Sequence, residues 1–349
     1  MTSHSMGLPI PFERVAAFVR NGGDNGWGGP SISRKAMYRH LVENNTLRED
    51  QTRAIEEALL GVARRDLVGM ADISGFRVPL AQGIGATTFE YDKIAPVGEA
   101  TQSMSILNLG ARDLVNFTRT AIPVPVTASQ FRMDARLMAA GRGMGQSVDV
   151  TNIEEHSRSV MEKLEDTLVN GSTVVLGANT LTGYTNFGCC ESLSFSGGTW
   201  SLLTPPGLGA AVTDVLAMRA ALRDNGYTGP YTLYLPTNFD GVIDDDYKTE
   251  SDRTLRERLL AIDGISQIKV LPSLSDSEVL LVQMTRSVVE LAVGQSPTVV
   301  TWDEFGGLAM NWAIVAVMAP ALKCANARAP LASGTLPALS TTSGIAHLT

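Results

Sequence analysis

Two glycine-rich segments are the candidates for nucleotide binding. Gly207-Leu-Gly209 opens a predicted helix, and Gly141, Gly143 and Gly145 alternate with other residues in a second segment. A dinucleotide loop needs a third glycine in the pattern Gly-x-Gly-x-x-Gly, directly after a strand, so that the backbone can approach a pyrophosphate. Both segments lack that glycine, and Pro205-Pro206 interrupts the strand that should precede Gly207. A helix start and a hinge loop explain them better, with a nucleotide-dependent enzyme using Gly207 and Gly209 as the alternative.

Metal and acid–base chemistry also has few candidates. Asp244-Asp245-Asp246 offers the oxygens that hard cations prefer, but it lacks the alternating spacing of a calcium loop. His156 follows Glu154-Glu155 on a predicted helix, without the His-Glu-x-x-His or Glu-x-x-His spacing of zinc and di-iron sites. We therefore interpret the aspartates as a solvated loop and His156 as a surface residue. The sequence predicts no metal site and no cofactor.

The three cysteines do not form a familiar site. Cys189 and Cys190 are adjacent, Cys324 is distant, and no Cys-x-x-Cys spacing occurs. An odd number in this arrangement disfavours both a zinc site and a disulfide framework. Neither a Gly-x-Ser-x-Gly nucleophile motif nor a phosphate-binding P-loop is present. We interpret Cys189 and Cys190 as structural and predict no catalytic residue.

The composition excludes further classes of function. The chain has 349 residues, of which 44% are hydrophobic and 18% charged, which predicts a packed core and roughly two domains. Its net charge is -8 and no Lys/Arg-rich run occurs, which disfavours sequence-specific nucleic-acid binding. The longest apolar run, Trp312 to Leu322, is about half of the roughly 20 residues that a membrane helix needs. No signal peptide is evident, and we expect a soluble cytoplasmic protein without a membrane partner.

Two helices are predicted on either side of a β-rich excursion. The first runs from Thr46 to about Val68, with Thr46 and Glu49 as a capping box. The second covers 151–170, with Thr151 as its cap and Asn170-Gly171 as its end. Its apolar residues recur at helical spacing and predict one buried stripe, formed by Ile153, Val160, Met161, Leu164 and Leu168.

The excursion between these helices cannot form a core by itself. Its predicted strands, Thr87–Ile94 and Leu114–Val126, are separated by the polar span Ala95–Arg112. Pro123 and Pro125 both lack the N–H that would face one edge, so that edge cannot pair. We therefore expect its apolar side chains to need an external surface, namely Phe89, Tyr91, Val115 and Phe117.

The remaining segments complete the predicted organisation. Short strands and helices alternate over 173–298 and predict a compact α+β domain, and Leu308–Met318 is a predicted buried strand. Residues 1–45 have the composition of an arm, in which Trp27 is expected to dock on this chain or a neighbour. The charge-free tail after Ala329 is expected to be mobile. Parts that cannot fold stably alone indicate an assembling structural subunit rather than an enzyme.

The order of these elements resembles the shell proteins of tailed bacteriophages and of encapsulin nanocompartments, whose fold is named for phage Hong Kong ninety-seven. Four stretches carry the resemblance: 50–69, 122–171, the run from Gly229-Pro-Tyr-Thr-Leu-Tyr-Leu-Pro236 to Gly294, and 308–320. It implies an α+β fold with six parts. These are an N-terminal arm (1–45), a helix and lead-in (46–75), an E-loop (76–125), a P-domain (126–172 and 299–329, with a spine helix at 151–170), an A-domain (173–298) and a flexible tail (330–349).

The resemblance also implies a function. It implies a non-enzymatic major capsid protein of a tailed phage, which forms the pentamers and hexamers of an icosahedral shell around double-stranded DNA. Assembly is expected in the host cytoplasm and the final location is the virion. Scaffolding, portal and decoration proteins are further expected partners, and the DNA is contacted without sequence specificity. The alternative is an encapsulin shell around an enzyme cargo, although the arm and tail favour the phage.

Residues at subunit interfaces are expected mainly in the E-loop. The expected set is Trp27, Phe89, Tyr91, Lys93, Val115, Phe117 and Arg119. In some phages of this fold an E-loop lysine bonds covalently to an asparagine of a neighbour. Lys93 is the only lysine of the E-loop and lies near its base rather than its tip, which disfavours such a cross-link here.

Overall fold

The computed structural model describes residues 68–94, 104, 114–115, 117–134, 136–137, 150–200, 203, 207–246, 253–306, 308–327 and 340–349. They belong to two compact units. One contains Ala128–Val160 and Pro297–Val315, and the other contains Asp66–Thr127, Met161–Ser296 and Ala316–Thr349. Several predictions lie outside the described residues: the arm with Trp27, the first helix up to residue 67, nearly all of the 95–112 span and the glycines at 141–145.

The described residues include five α-helices and fifteen strands. The helices are α1 (Val68–Ile73), α2 (Val150–Asn170), α3 (Gly209–Asp224), α4 (Asp240–Ile243) and α5 (Leu255–Leu260). The first nine strands are β1 (Arg77–Pro79), β2 (Thr88–Ile94), β3 (Phe117–Pro123), β4 (Val126–Asp134), β5 (Ser172–Leu176), β6 (Asn179–Leu181), β7 (Glu191–Leu193), β8 (Tyr231–Leu235) and β9 (Ile265–Val270). The others are β10 (Val279–Gln283), β11 (Val289–Glu304), β12 (Ala309–Leu322), β13 (Ala325–Ala327), β14 (Ser340–Thr342) and β15 (Ile345–Leu348).

Helix α2 confirms the predicted long helix and its buried stripe. It runs from Val150 to Asn170, one residue longer than expected. All five residues of the predicted stripe are buried, with exposed fractions between 0 and 5%. Gly171 ends the helix at a φ of 75°, where an added Cβ would lie 2.6 Å from the carbonyl oxygen of Leu181. Only glycine fits both requirements, so this helix end is fixed by the sequence.

The first unit has a small aromatic core. The strands β11, β12 and β4 lie side by side in that order, and the first half of α2 contributes Ile153. Phe131 stacks on Trp312 with ring centroids 5.2 Å apart and nearly parallel planes. Met133 and Met310 complete the buried cluster. The predicted strand at 308–318 is confirmed, and β12 extends it to Leu322 because the apolar run continues through Pro320.

The second unit contains a five-stranded mixed sheet with the order β7-β15-β10-β8-β9. The strands β8 and β10 are antiparallel and buried at every position, in keeping with their largely apolar sequences. Helix α3 contributes a buried face to the same core, formed by Ala211, Val212, Val215, Met218 and Leu222. The α+β prediction for this part of the chain is confirmed.

The prediction of a mobile C-terminal tail is wrong for its last ten residues. Residues 342–348 are all buried, and β15 lies inside the five-stranded sheet. It pairs antiparallel with β10 (Leu281 opposite Ala346) and parallel with β7 (Ser192 opposite His347). A segment without charged residues can lie in the interior of a sheet or in a solvated tail. The outcome depends on whether strands from distant parts of the sequence, here β7 and β10, pair with it.

The β2–β3 pair confirms the two predicted strands and the effect of the prolines. The strands are antiparallel, with Thr88 opposite Pro123 and Ile94 opposite Phe117. The N–H of Val124 donates to the carbonyl of Thr87 at 2.9 Å. Successive N–H groups point to opposite edges, so the positions without an N–H at Pro123 and Pro125 face away from β2. In the described residues β3 has β2 as its only hydrogen-bonded strand.

Candidate assembly surfaces

The candidates for nucleotide and cation chemistry that lie among the described residues are Gly207, Gly209 and the acidic segment at 244–246. Gly209 begins α3, and the last described strand before it, β7, ends at Leu193, so the described residues contain no strand–turn–helix unit of a dinucleotide loop at this place. In the acidic segment, Asp244 lies 2.7 Å from the guanidinium of Arg256. Within the described part of the chain, no three His, Cys, Asp or Glu residues cluster as metal ligands.

His156 is half-buried, which corrects its interpretation as a surface residue. Its Nδ1 lies 2.7 Å from the hydroxyl of Ser129 on β4, and its ring stacks on Phe131 at 4.9 Å. The Glu-Glu-His-Ser-Arg sequence suggested an outward face, but β4 covers that turn of α2. The arrangement fixes the helix against the strand.

Two of the cysteines form a disulfide, which overturns the expectation that disulfide bonding is disfavoured. Cys189 and Cys324 are bonded, with Cα atoms 6.0 Å apart and a sequence separation of 135. Cys190 remains a thiol. Counting and spacing cysteines could not reveal this pair, because the fold brings together two residues that are distant in the chain.

The residues expected at subunit interfaces divide into two groups. Phe89 is only 8% exposed and packs in a cluster with Ala292, Val317 and Ala319 of its own chain. Tyr91 is half-buried beside the same cluster, and its hydroxyl donates to the carbonyl of Leu322 at 3.4 Å. The expectation that these two rings need an external surface is therefore wrong, because β11 and β12 already cover them.

The other described members of that set are exposed or half-buried. Val115 is 42% exposed and Phe117 is 66% exposed, on the part of the β2–β3 pair farthest from the core cluster. Arg119 lies opposite Asp92 and forms exposed ion pairs with Asp92 at 3.2 Å and Glu90 at 3.4 Å. Lys93 is half-buried. An exposed aromatic ring next to charged groups is typical of surfaces that bind another protein.

Exposed large apolar side chains form groups at three places in the described part of the chain. The first is the distal part of the β2–β3 pair, with Leu114, Val115 and Phe117. The second is the β5–β6 hairpin, where three consecutive residues, Val174, Val175 and Leu176, are 43–56% exposed. The third is the turn between β11 and β12, with Val300, Trp302, Phe305 and Leu308. Single exposed apolar residues are ordinary, but groups of three or four mark surfaces that another molecule covers.

A groove lies beside the third of these surfaces, within the first unit. It has a volume of about 440 Å³ and is lined by Gln130, Phe131, Arg132, Trp302, Glu304 and Asn311. The guanidinium of Arg132 lies 5.0 Å above the ring of Phe305 and 3.7 Å from Glu304. Trp and Arg are the residues most enriched at the energetic centres of protein interfaces. The groove has the chemistry of a protein-binding surface, and sequence reasoning missed it because β4, β11 and β12 contribute to it from distant positions.

A polar cluster holds the start of the described chain on the five-stranded sheet. The carboxylate of Asp72 on α1 accepts a 2.7 Å hydrogen bond from the hydroxyl of Tyr234 and forms an ion pair with Lys269. Burial, with a smaller contribution from nearby negative charge, raises the pKa of Tyr234 far above its ordinary value. Tyr234 is therefore protonated at every physiological pH and acts only as a donor to Asp72.

Comparison with known families identifies the group to which the chain belongs. A family model described as Family of unknown function (DUF6260) matches residues 46–326. The chain belongs to this family. No curated protein matches the sequence. No described helix of this DUF6260 protein has the length and apolar character to cross a membrane.

Solved structures show which fold the DUF6260 chain has. The capsid of Myoviridae phage XM1 is similar with a TM-score of 0.59 and 14% identity, over 78% of this chain and 89% of that chain. A virus-like particle from Pyrococcus furiosus is similar with a TM-score of 0.56 and 15% identity, over 85% of this chain and 98% of that chain. The capsid of a native GTA particle is similar with a TM-score of 0.55 and 12% identity, over 95% of this chain and 97% of that chain. The DUF6260 chain therefore has the Hong Kong ninety-seven type capsid fold.

Proposed function

We propose that this protein is the major capsid protein of a tailed bacteriophage, without catalytic activity. Copies of the chain assemble into the pentamers and hexamers of an icosahedral shell that encloses double-stranded DNA. The observation that carries the proposal is the extent of the structural similarity, which includes 78–95% of this chain and 89–98% of three capsid or particle subunits. A match from one end of a subunit to the other includes the parts with which that subunit contacts its neighbours.

We assign three parts of the proposed capsid subunit to described elements. The E-loop corresponds to the β2–β3 pair, and the P-domain to α2 with β11 and β12. The A-domain corresponds to the five-stranded sheet with α3. Its boundary differs from the one expected at 173–298, because β15 at the C-terminal end of the chain is a member of that sheet.

The exposed apolar groups support assembly. A subunit that functions alone loses solubility by exposing three such groups, whereas a shell subunit can bury each against a neighbour. Phe117 and Trp302 are the largest rings available, with 66% and 42% of their surfaces exposed. We assign both to contacts between subunits, with scaffolding, portal and decoration proteins as further partners of the shell.

The net charge of the chain supports a shell protein that encloses DNA rather than a protein that binds nucleic acid sequence-specifically. Each subunit carries a formal net charge of -8. Many copies with this charge repel packaged DNA on balance and hold it by confinement, without sequence specificity. The proposed location is the virion, after assembly in the host cytoplasm.

An encapsulin shell around an enzyme cargo is the second candidate. The similarity to the virus-like particle from Pyrococcus furiosus, over 98% of that chain, is the observation in its favour. The two candidates share the fold and the assembly, and they differ in what the shell contains and whether a tail is attached.

Negative-stain electron microscopy tests the proposal. The purified protein is expected to form closed shells, and particles from the native source are expected to carry tails and DNA. Tailless shells filled with an enzyme would support the encapsulin. A small discrete oligomer whose heat stability rises with added nucleotide would reject both and favour an enzyme that uses Gly207 and Gly209.

A further inference from the structure

The disulfide joins the segment before β7, an edge strand of the five-stranded sheet, to the segment between β12 and β13. Cys189 lies just before β7, and Cys324 follows β12 by two residues. From Cys324 the chain continues as the C-terminal segment, residues 325–349. Its described parts are the β13–β14 pair and β15. Strand β15, at the end of this segment, pairs with β7. The bond therefore holds the start of the C-terminal segment close to the strand that pairs with its end.

The sheet contacts at this edge are few without the bond. Strand β7 has three residues, and β15 is its only described partner, through the three pairs from Glu191–Ala346 to Leu193–Leu348. Further contacts are the 2.8 Å hydrogen bond from Asn225 to Glu191, the 3.0 Å hydrogen bond from the N–H of Thr349 to the carbonyl of Leu193, and the packing of Leu193 on the core of the sheet. Short edge strands open first in local unfolding, because few hydrogen bonds must break. We expect a covalent link at this place to slow the opening of β7 and, through their pairing, that of β15.

The backbone around Cys324 is held in place independently of the disulfide. The N–H of Lys323 donates to the carbonyl of Val288 at 2.9 Å, and its ammonium group lies 2.8 Å from Glu290. The N–H of Cys324 contacts the hydroxyl of Tyr91 at 3.5 Å. Cys324 itself is only 6% exposed. These contacts keep its sulfur close to Cys189 in the reduced protein, so the bond can form without rearrangement of the fold.

The neighbouring thiol is unsuited to replace Cys189 in this bond. Cys190 is half-buried, and its sulfur contacts the carbonyl of Glu191 at 3.7 Å. Burial, and to a lesser degree the charge of Glu191, raises the pKa of the Cys190 thiol to about 12. Only a thiolate attacks a disulfide at a useful rate. Cys190 therefore stays a thiol beside the bond and does not exchange with it.

We propose that Cys189 and Cys324 form a redox clamp, which is open during folding in a reducing cytoplasm and closes when the particle enters an oxidising environment. The timing rests on the proposed capsid function, because a virion leaves the cytoplasm on release. In closure the two thiols lose two protons and two electrons and form the S–S bond. A low-molecular-weight disulfide takes up the electrons and protons and becomes two thiols. The closed clamp fixes the C-terminal segment in the sheet.

Hydrogen exchange and thiol alkylation of the full-length protein test the clamp. After reduction all three cysteines are expected to react with an alkylating agent under denaturing conditions, and after treatment with oxidised glutathione only Cys190. In the oxidised protein, amides of 345–348 are expected to exchange at least about tenfold more slowly than in the reduced protein. Equal exchange in the two states would overturn the clamp.

Three variants separate this bond from other effects of oxidation. Cys189→Ser and Cys324→Ser are expected to exchange like the reduced wild type under both conditions. Cys190→Ser is the matched control and is expected to retain the slow exchange on oxidation. Loss of protection in Cys190→Ser, with protection retained in Cys189→Ser, would show that Cys190 and not Cys189 bonds to Cys324. That result would overturn the proposal.

Alkylation inside producing cells tests when the clamp closes. Cells are treated with a membrane-permeant thiol reagent before lysis, and all three cysteines are expected to be blocked. A disulfide already present at that stage would contradict closure after release. The exchange experiments need only folded subunits, so they distinguish failure of the clamp from failure of the capsid function, which electron microscopy tests separately.

Discussion

The hydroxyl of Tyr234 donates a 2.7 Å hydrogen bond to the carboxylate of Asp72, which connects α1 to the central strand β8. The ring of Tyr184 stacks beside that of Tyr234 at 6.3 Å, and its own hydroxyl is buried without a hydrogen-bond partner among the described residues. Two neighbouring tyrosines thus differ in one respect, which is whether the hydroxyl has a partner.

This difference gives a matched pair of variants. Tyr234→Phe is expected to lower the free energy of unfolding by about 1.5–3 kcal/mol, the usual contribution of a buried hydrogen bond to a charged group. Tyr184→Phe removes a hydroxyl that has no partner and is expected to be neutral or slightly stabilising. Urea unfolding of both proteins measures the two values. Equal losses in the two variants would show that the hydrogen bond from Tyr234 to Asp72 does not contribute to the free energy of unfolding.

The apolar stripe of α2 gives a second prediction. Leu164 is 1% exposed, and Leu164→Asp would place a charge without a partner among apolar side chains. We expect failure of folding, seen as insoluble protein. Leu164→Ala is expected to lower the free energy of unfolding by about 2–5 kcal/mol. Ser159→Asp adds the same charge at an exposed position of the helix and should remain soluble. Soluble Leu164→Asp that assembles normally would contradict the burial of the stripe.

Two phenylalanines of the β2–β3 pair separate folding from assembly. Phe89→Ala is expected to lower the free energy of unfolding by about 3–5 kcal/mol, because Phe89 is in the core. Phe117→Ala is expected to change it by less than about 0.5 kcal/mol, because Phe117 is exposed. If Phe117 contacts a neighbouring subunit, its variant should raise the concentration needed for assembly at least about fivefold. Light scattering against concentration measures that threshold, and an unchanged threshold would remove Phe117 from the interface.

The C-terminal strand gives a fourth prediction. Deletion of residues 345–349 removes Ile345 and Leu348, which are 0 and 1% exposed. Burial of each contributes about 1.5–3 kcal/mol, and the deletion also leaves the edge of β10 without its partner. Together these losses approach the 5–15 kcal/mol that stabilises a typical domain, so we expect loss of cooperative thermal unfolding. Deletion of Thr349 alone, which is exposed, is the control and should unfold like the full chain.

His347 makes stability depend on pH. Burial lowers its pKa below the ordinary value of about 6.5, against a smaller opposing effect of Glu278, whose carboxylate lies 3.6 Å away. The unfolded chain therefore binds a proton more readily than the folded chain as the pH falls below about 6.5, and stability decreases there. His347→Gln is expected to reduce this decrease between pH 7 and 5, as measured by urea midpoints. An identical pH dependence in the variant would exclude His347 as its source.

Local patterns determined much of this protein. The stripe of α2 and the glycine at 171 predict the long helix to within one residue, because helical spacing and a left-handed helix end depend on neighbouring residues alone. The prolines at 123 and 125 likewise predict an unpaired edge of β3, because the missing N–H is a property of the residue itself. The order of such elements was sufficient to indicate the capsid fold.

The tertiary structure decided what depends on distant partners. The segment Ile345-Ala-His-Leu348 is too short, and has too little β-strand pattern, to predict a strand. It forms one because β7 and β10 lie on either side of it. Cys189 and Cys324 are bonded across 135 positions of sequence, and Phe89 is buried by residues of β11 and β12. Pairing, burial and cross-linking at these sites are set by which segments meet in space, and sequence spacing contains no information about that.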